Sequence, residues 1–422
     1  MLNNFFRKIR LIFADPGLRK RILFLVGAIV VFRFLAAIPV PGVNRLALDQ
    51  FFAGNQFLGL LNIFSGGGFS NISIVLLGVG PYITASIIMQ LATVLSPKIK
   101  AMYTEEGEQG RAKFISFSRF LTIPIAILQG VAFLSLLQSQ GILIPLTPFE
   151  MATNVFLVAA GSMLLMWIGE MITEFGIGNG VSLLIFAGII AAVPGGLSQL
   201  LFTATAANIP TYLAFAVAAL AITYAVVVVS EAERSIPIAY ARQVRSTGPS
   251  ASTYLPIRLL QAGVMPIIFA LSLLLLPQMA LAGLSGLGLT WAASAQMWYT
   301  AFSLNTFAYS AVYFVLVVMF TFFYTSITFE PKRVSDNLQK SGAFIPGVRP
   351  GRETESFIGS VVNRVTLPGA LFLGFLAVVP FIVQAATGIT ALLIGGTALL
   401  IAVQVLLDLI RKVDAQVSLR EY

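Results

Sequence analysis

The chain has 422 residues, with 26 Lys+Arg against 17 Asp+Glu for a net charge of +9. Apolar residues make up 58% and charged residues 10%, where a soluble domain carries about 25% charged. A soluble fold so poor in charge would expose large apolar patches, so the composition specifies an integral membrane protein. There is no His and no Cys. That excludes imidazole acid/base catalysis, thiol nucleophiles, disulfides and His/Cys sites for zinc, haem or iron–sulfur clusters. No cofactor is expected.

A helix needs about 20 apolar residues to cross a bilayer, so charge-free runs locate spans. In chain order they are 22–41 (interrupted by Arg33), 72–97, 120–138 and 153–173 (with Glu170 near its end). The run 175–230 is charge-free over 56 residues and holds two spans, broken near Asn208-Ile209-Pro210. The run 259–329, 71 residues, holds two or three, and the run 365–407 holds two, broken near Thr387-Gly388. Parity decides the ambiguous run. Arg258 precedes it and Lys332, Arg333, Lys340, Arg349, Arg352 and Arg364 follow it. If basic segments face the cytoplasm, both ends are inside and the span number is even. Spans at 259–281 and 305–329 leave Trp291, Trp298 and Tyr299 in an interfacial loop or short helix between them.

The result is ten spans with both termini cytoplasmic. Of the 26 basic residues, 24 then lie in cytoplasmic segments or span ends; Arg45 falls outside and Arg33 within a span. The stretch 3–13 is basic and amphipathic and suits the cytoplasmic surface. The first span is too long for a signal peptide and lacks a small-residue cleavage site, so no cleavage is expected.

Residues 57–65 are apolar but too short to span, and Gly66-Gly67-Gly68 ends them. This piece reads either as a re-entrant helix lining a cavity or as an interfacial helix on the outer side. The spans divide into two sets of five. Five is odd, so the halves have opposite orientation, as in the inverted repeats of transporters and conduits. The expected parts are an amphipathic segment 1–21, a first half 22–202, a hinge 203–209, a second half 210–410 and a cytoplasmic tail 411–422. Loops 231–257 and 330–364 are long, basic and punctuated by Gly and Pro. They either dock an anionic partner or only satisfy the positive-inside rule. Arg33 should face protein, water or the interface. Glu170, Glu174 and Asp408 should pair with basic partners.

Several stretches resemble the SecY family, the channel subunits of bacterial and plastid protein translocases. They are Ile38-Pro39-Val40-Pro41-Gly42-Val43, then Asn62 to Gly68, Gly80 to Gln90, Glu105 to Arg111, Trp167 to Gly180 with Ile185 to Ile189, Gly263 to Phe269, Asp336 to Gly351, and Gly395 to Ile401. They run in family order along nearly the whole chain. The resemblance implies an all-α integral membrane protein whose two pseudo-symmetric inverted halves of five spans clasp an hourglass pore.

It implies a short re-entrant plug helix at about 57–70, with Leu60, Leu61, Asn62, Ile63, Phe64, Ser65, Gly66, Gly67 and Gly68 at its centre. It implies a pore ring of Val79, Ile83, Ile87, Ile185, Ile189, Ile268 and Ile401. Ile83/Ile87 and Ile185/Ile189 are four apart, so each pair shares a helix face. A ring of branched apolar side chains dewets a constriction and bars ions, and it offers no hydrogen bond to hold a passing chain.

The family's lateral gate, formed by spans two, three, seven and eight, takes in Thr84, Gln90, Leu260 and Gln261. Leu260 stands where the family usually has Asn. Docking for the ribosome and the SecA ATPase falls on Arg234, Arg242, Arg245 and Arg349, although the first loop carries Glu231-Ala232-Glu233-Arg234 where members often have adjacent basic residues. The implied function is a passive protein-conducting channel for secretory polypeptides that also releases membrane segments sideways into lipid. SecE and SecG subunits, nascent polypeptides, signal sequences and membrane lipids are its further partners, and the bacterial plasma membrane, or the thylakoid of plastids, is its location. The chain is not expected to be an enzyme: no P-loop pattern Gly-x4-Gly-Lys-Ser/Thr occurs, so SecA or the ribosome drives transport. A secondary transporter of a small solute shares the span count and inverted halves, but few charged residues lie within the spans to build a coupling-ion site.

Overall fold

The computed structural model describes residues 15–42, 72–104, 106–139, 141–144, 146–202, 209–240, 253–261, 263, 265–286, 289–387 and 390–418. The expected plug at 57–70, the hinge residues 203–208, and Arg45, Arg242 and Arg245 lie outside them.

Among the described residues ten long helices overlie the ten expected spans of the seven runs: α1 Pro16–Ala37, α2 Gly80–Leu95, α4 Gly107–Ser139, α5 Pro148–Phe175, α6 Gly180–Phe202, α7 Ile209–Glu231, α8 Met265–Gly286, α10 Thr306–Thr328, α12 Arg352–Thr387 and α13 Thr390–Ser418. Three shorter helices join them: α3 Pro97–Thr104, α9 Thr290–Leu304 and α11 Pro331–Lys340. Among the described residues six helices are long and apolar enough to cross a membrane. A seventh is counted if α2 and α3, bent by 115° at Ser96, form one span. Trp291, Trp298 and Tyr299 stand on α9, so the expected interfacial element is a helix.

Local chemistry sets the helix ends. The Asp15 carboxylate accepts from the Gly17 amide at 2.8 Å and Pro16 opens α1. Thr147 and Glu150 form a reciprocal capping box with Pro148 at the first turn of α5, satisfying amide donors that a helix cannot satisfy itself. Inside the helices, buried hydroxyls bond back to the carbonyl four residues earlier: Thr122 to Ser118 at 2.8 Å and Thr321 to Val317 at 2.7 Å. In an apolar surround this costs less than leaving a donor unpaired.

One apolar cluster runs through both halves, from Leu25 of α1 to Val405 of α13. On its first-half side the segment after residue 71 is pinned. The Val40 amide donates to the Ile72 carbonyl at 2.8 Å, and the Ile74 amide to the Ile38 carbonyl at 3.0 Å. Helix α5 lies so close to this segment that a Cβ on Gly161 would stand 2.1 Å from the Ile74 carbonyl oxygen. The neighbouring Ser162 hydroxyl donates to the Gly78 carbonyl at 2.8 Å.

The two long loops are more ordered than their composition suggests. Residues expected as loop 231–257 contribute strands β1 Glu233–Tyr240 and β2 Thr253–Arg258, paired antiparallel from Glu233↔Arg258 to Ile238↔Thr253. A short β3, Ala343–Phe344, adds to the other edge of β1 at Ala239 and Tyr240, giving the order β2-β1-β3. Pro237 is tolerated in the central strand because β3 pairs only beyond it. Loop 330–364 is likewise mostly helix: α11 fills its start, and α12 begins at Arg352, well before the charge-free run. Ile236 and Ile257 of the sheet, Ile345, and Ile358, Val361, Val362 and Val365 of α12 form a separate apolar core. Together they make a platform beneath the helical body.

Candidate functional site

All seven expected ring residues are described, and all are buried: Val79, Ile83, Ile87, Ile185, Ile189, Ile268 and Ile401 are each 6% exposed or less and belong to the same apolar cluster. They come from α2 and its lead-in, α6, α8 and α13. Helices α2 and α8 pack on each other, as do α6 and α13. Ile83, Ile185 and Ile268, from three different helices, line one cavity of about 410 Å³.

The rest of the lining of that cavity is mixed, with Ile115, Val181, Met265 and Phe269 beside polar groups. Its wall carries Gln90, Arg119, Glu170, Glu174, Asn179 and Ser182. The Arg119 Nε donates to Glu170 Oε1 at 2.8 Å, joining α4 to α5. This is the basic partner expected for Glu170. The cavity therefore holds a charged pair and three of the expected ring isoleucines in one lining. The charged pair can bind water, and the isoleucines give it no partner.

A seam between the halves runs along α8, which packs against α2 and α4 on one side and α10 on the other. A Cβ on Gly283 of α8 would stand 2.9 Å from the Ala132 Cβ of α4, so the helices touch there with no side chain between them. Phe269 meets Phe320 and Tyr324 of α10 edge-on, with ring centroids 6.0 and 5.8 Å apart. A groove of about 630 Å³, lined by Gln90, Tyr103, Arg111, Phe114, Ile327 and Phe329 among others, lies beside the seam between α2, α4 and α10.

Two of the four expected gate residues, Thr84 and Gln90, stand on α2, which borders this seam, whereas Leu260 and Gln261 line a separate cavity with Gly178, Leu183, Val405 and Asp408. Thr84 is buried, and its hydroxyl donates to the Gly80 carbonyl at 3.0 Å, so it spends its donor within its own helix. Gln90 faces both the cavity and the groove. Leu260 is buried just before α8 and meets α12 near Gly369, where an added Cβ would lie 3.2 Å from its Cδ2. Gln90 and Gln261 each keep a buried Oε1 with no hydrogen-bond partner among the described residues. A buried acceptor left without a donor is costly, so each site favours a contact that supplies one.

Of the expected docking arginines, Arg234 lies in β1 opposite Ile257 and is exposed. Arg349 is exposed in the turn between β3 and α12. That turn is held by Val348 amide to Ile345 carbonyl at 3.1 Å and Thr354 hydroxyl to Arg349 carbonyl at 2.8 Å. Gly347 and Gly351 adopt φ of +83° and +99°, a region closed to most other residues, so the turn presents Arg349 outward.

Sequence reading missed the clasp between α7 and α13. Arg411 donates to the Glu231 carboxylate at 2.7 Å and to the Ser230 carbonyl at 2.6 Å, and the Ser230 hydroxyl to Gln404 Oε1 at 3.1 Å. Arg411 also lies 3.8 Å from Asp408, the basic neighbour expected for that carboxylate. The pairing joins residues about 180 apart, which no local pattern signals.

A bundle of long apolar helices around one core, with a cavity whose wall joins a charged pair to aliphatic side chains, defines an integral membrane protein. The family model for SecY matches residues 73–410, and the chain belongs to the SecY family. It is 39% identical over 432 residues to protein translocase subunit SecY of Streptomyces scabiei, covering 97% of each chain. It is 38% identical over 445 residues to the subunit of the same name in Mycobacterium tuberculosis, covering 100% of this chain and 99% of that one. Among solved structures, one described as a protein conducting channel superposes with TM-score 0.69 at 19% identity, over 94% of this chain and 91% of the other. Sec61 in a canine ribosome–channel complex from the endoplasmic reticulum superposes with TM-score 0.65 at 19% identity, over the same shares.

Proposed function

We propose that this chain is the pore-forming subunit of a protein translocase, conducting secretory polypeptides across a bacterial plasma membrane and releasing membrane segments sideways into lipid. The meeting of Ile83, Ile185 and Ile268, from α2, α6 and α8, at the wall of one cavity carries this reading, with all seven expected residues buried in one apolar cluster. It gives a family fold a waist that seals when empty and yields to any side chain in transit, because no fixed donor or acceptor selects the passenger.

In this reading the ten long helices are ten spans with both termini in the cytoplasm, and the cavity lined by Arg119 and Glu170 is the cytoplasmic vestibule. The seam of α2 and α4 against α8 and α10 is the lateral gate, and the groove beside it receives the apolar helix of a signal sequence. Segment 57–70 is the plug on the outer side. The chain is a conduit and performs no catalysis. Force comes from SecA or a translating ribosome. Arg349, and with it Arg234, Arg242 and Arg245, offers guanidinium groups that match phosphate or carboxylate on such a partner. SecE and SecG complete the translocase.

The test is reconstitution of the chain with its small subunits in vesicles, with SecA, ATP and a precursor carrying a signal sequence. Protease-protected precursor inside the vesicles is the expected result. Absence of protected precursor, alongside saturable uptake of a small solute, would point to a transporter instead.

A further inference from the structure

The separate cavity that Leu260 and Gln261 line holds about 230 Å³, and its walls come from both halves. Asn179 and Ser182, at the start of α6, belong to the first half; the lead-in to α8 and the end of α13 belong to the second. None of the seven expected ring residues lines it. Three cations reach it: Arg258 from the end of β2, and Arg411 and Lys412 from α13. Arg411 is spent on the Glu231 carboxylate and the Ser230 carbonyl. Arg258 and Lys412 are exposed and form no ion pair among the described residues. Two like charges at one cavity repel, and an anion between them turns that repulsion into attraction.

The lining also restricts which anion fits. Asp408 belongs to it, 3.8 Å from Arg411, and an ionised carboxylate only accepts hydrogen bonds. Gln261 brings a buried Oε1 that lacks a donor among the described residues. An ion made only of acceptors, such as sulfate, leaves Gln261 without that donor and sets its charge against Asp408. Hydrogen phosphate near neutral pH keeps at least one P–OH. It pairs its ionised oxygens with the cations and still has a proton to donate to an acceptor. The Asn179 amide and the Ser182 hydroxyl add donors from the first half.

We propose that this cavity binds a protonated phosphate group, free or as a monoester, which pairs with Arg258 and Lys412 and donates to Gln261 or Asp408. A charge-assisted bond to each cation supplies the affinity. The two acceptors supply the choice of phosphate over sulfate, because each rewards a donor and penalises an ion without one.

The test is equilibrium dialysis of the full chain in detergent against labelled inorganic phosphate, near neutral pH and at fixed ionic strength. Saturable binding of one phosphate per chain is expected, with sulfate about tenfold weaker as a competitor, the scale of one hydrogen bond to a charged group. Arg258→Gln and Lys412→Gln should each weaken binding about tenfold. Gln261→Leu should narrow the preference for phosphate over sulfate. Lys98→Gln, exposed on α3 and absent from the cavity lining, should bind as the parent does. No saturable binding, sulfate competing as well as phosphate, or an equal loss with K98Q would overturn the site. Should R258Q or K412Q fail to fold, the sulfate competition in the parent protein still decides. Phosphatidylcholine nanodiscs with and without phosphatidic acid separate the sources. Displacement of the labelled phosphate by that lipid assigns the site to a headgroup monoester, and full retention assigns it to a soluble phosphate.

Discussion

The aliphatic waist and the basic platform lie at two levels of one molecule and follow opposite rules. At the waist every expected residue is buried in one cluster, and backbones approach so closely that a methyl group has no room at Gly161. On the platform Arg234 and Arg349 stand exposed on a strand and a glycine-punctuated turn, above a small core of their own. Under the proposed function the waist refuses water and ions, and the platform offers guanidinium groups on a fixed turn. The difference predicts where substitutions cost stability and where they cost only partnership.

The largest effect is expected at Gly161→Ala. Its Cβ would fall inside the Ile74 carbonyl, and relief requires backbone movement, at about 3 kcal/mol by analogy with overpacked cores. Thermal unfolding of the purified protein in detergent should show a sharp drop or no folded material. A normal transition would show more slack beside the waist than the packing allows. Ile268→Asn comes next. It leaves an amide among aliphatic groups at a cost of about 1–3 kcal/mol and gives water a foothold in the ring. Vesicles bearing it should leak ions at rest, where the parent does not.

Glu170→Gln removes the charge partner of Arg119 in the cavity lining. Because Arg119 is about half exposed, the loss should be about 1 kcal/mol or less, read as a small fall in unfolding temperature. Arg349→Glu should do least to stability, within about 0.5 kcal/mol as for other exposed sites. It should nevertheless depress SecA-driven export, checked with matched amounts of folded protein. If R349E lowered stability as much as I268N, the contrast between the two levels would collapse.

Much of this was legible in the sequence, for identifiable reasons. Charge-free runs located the ten long helices because apolar length is set by the bilayer, not by tertiary context. The four-residue spacing of Ile83/Ile87 and Ile185/Ile189 shows a shared face, and the family resemblance selected these isoleucines among many. The same criterion failed where helices leave the apolar zone. Helix α12 starts at Arg352 with Glu353 and Glu355 in its first turn, and a search for uncharged residues cannot see it. Strand β1 was hidden by its Pro237 and its charged first residues Glu233 and Arg234, and one of its two neighbours, β3, is distant in sequence. The pairs Arg119–Glu170 and Arg411–Glu231 are likewise set by helix packing over long separations. For Glu170 the need for a partner was readable, and the partner's identity was not.

The central claim is that a polypeptide passes through the ring formed by α2, α6, α8 and α13. The chain has no native cysteine, so a single Ile83→Cys or Ile268→Cys substitution carries a unique crosslinking probe, and Val312→Cys on the exposed face of α10 serves as the outside reference. With a translocation intermediate stalled in the complete translocase, the account predicts crosslinks from positions 83 and 268 to the stalled chain and none from position 312. Crosslinks from 312 with none from 83 or 268 would contradict it.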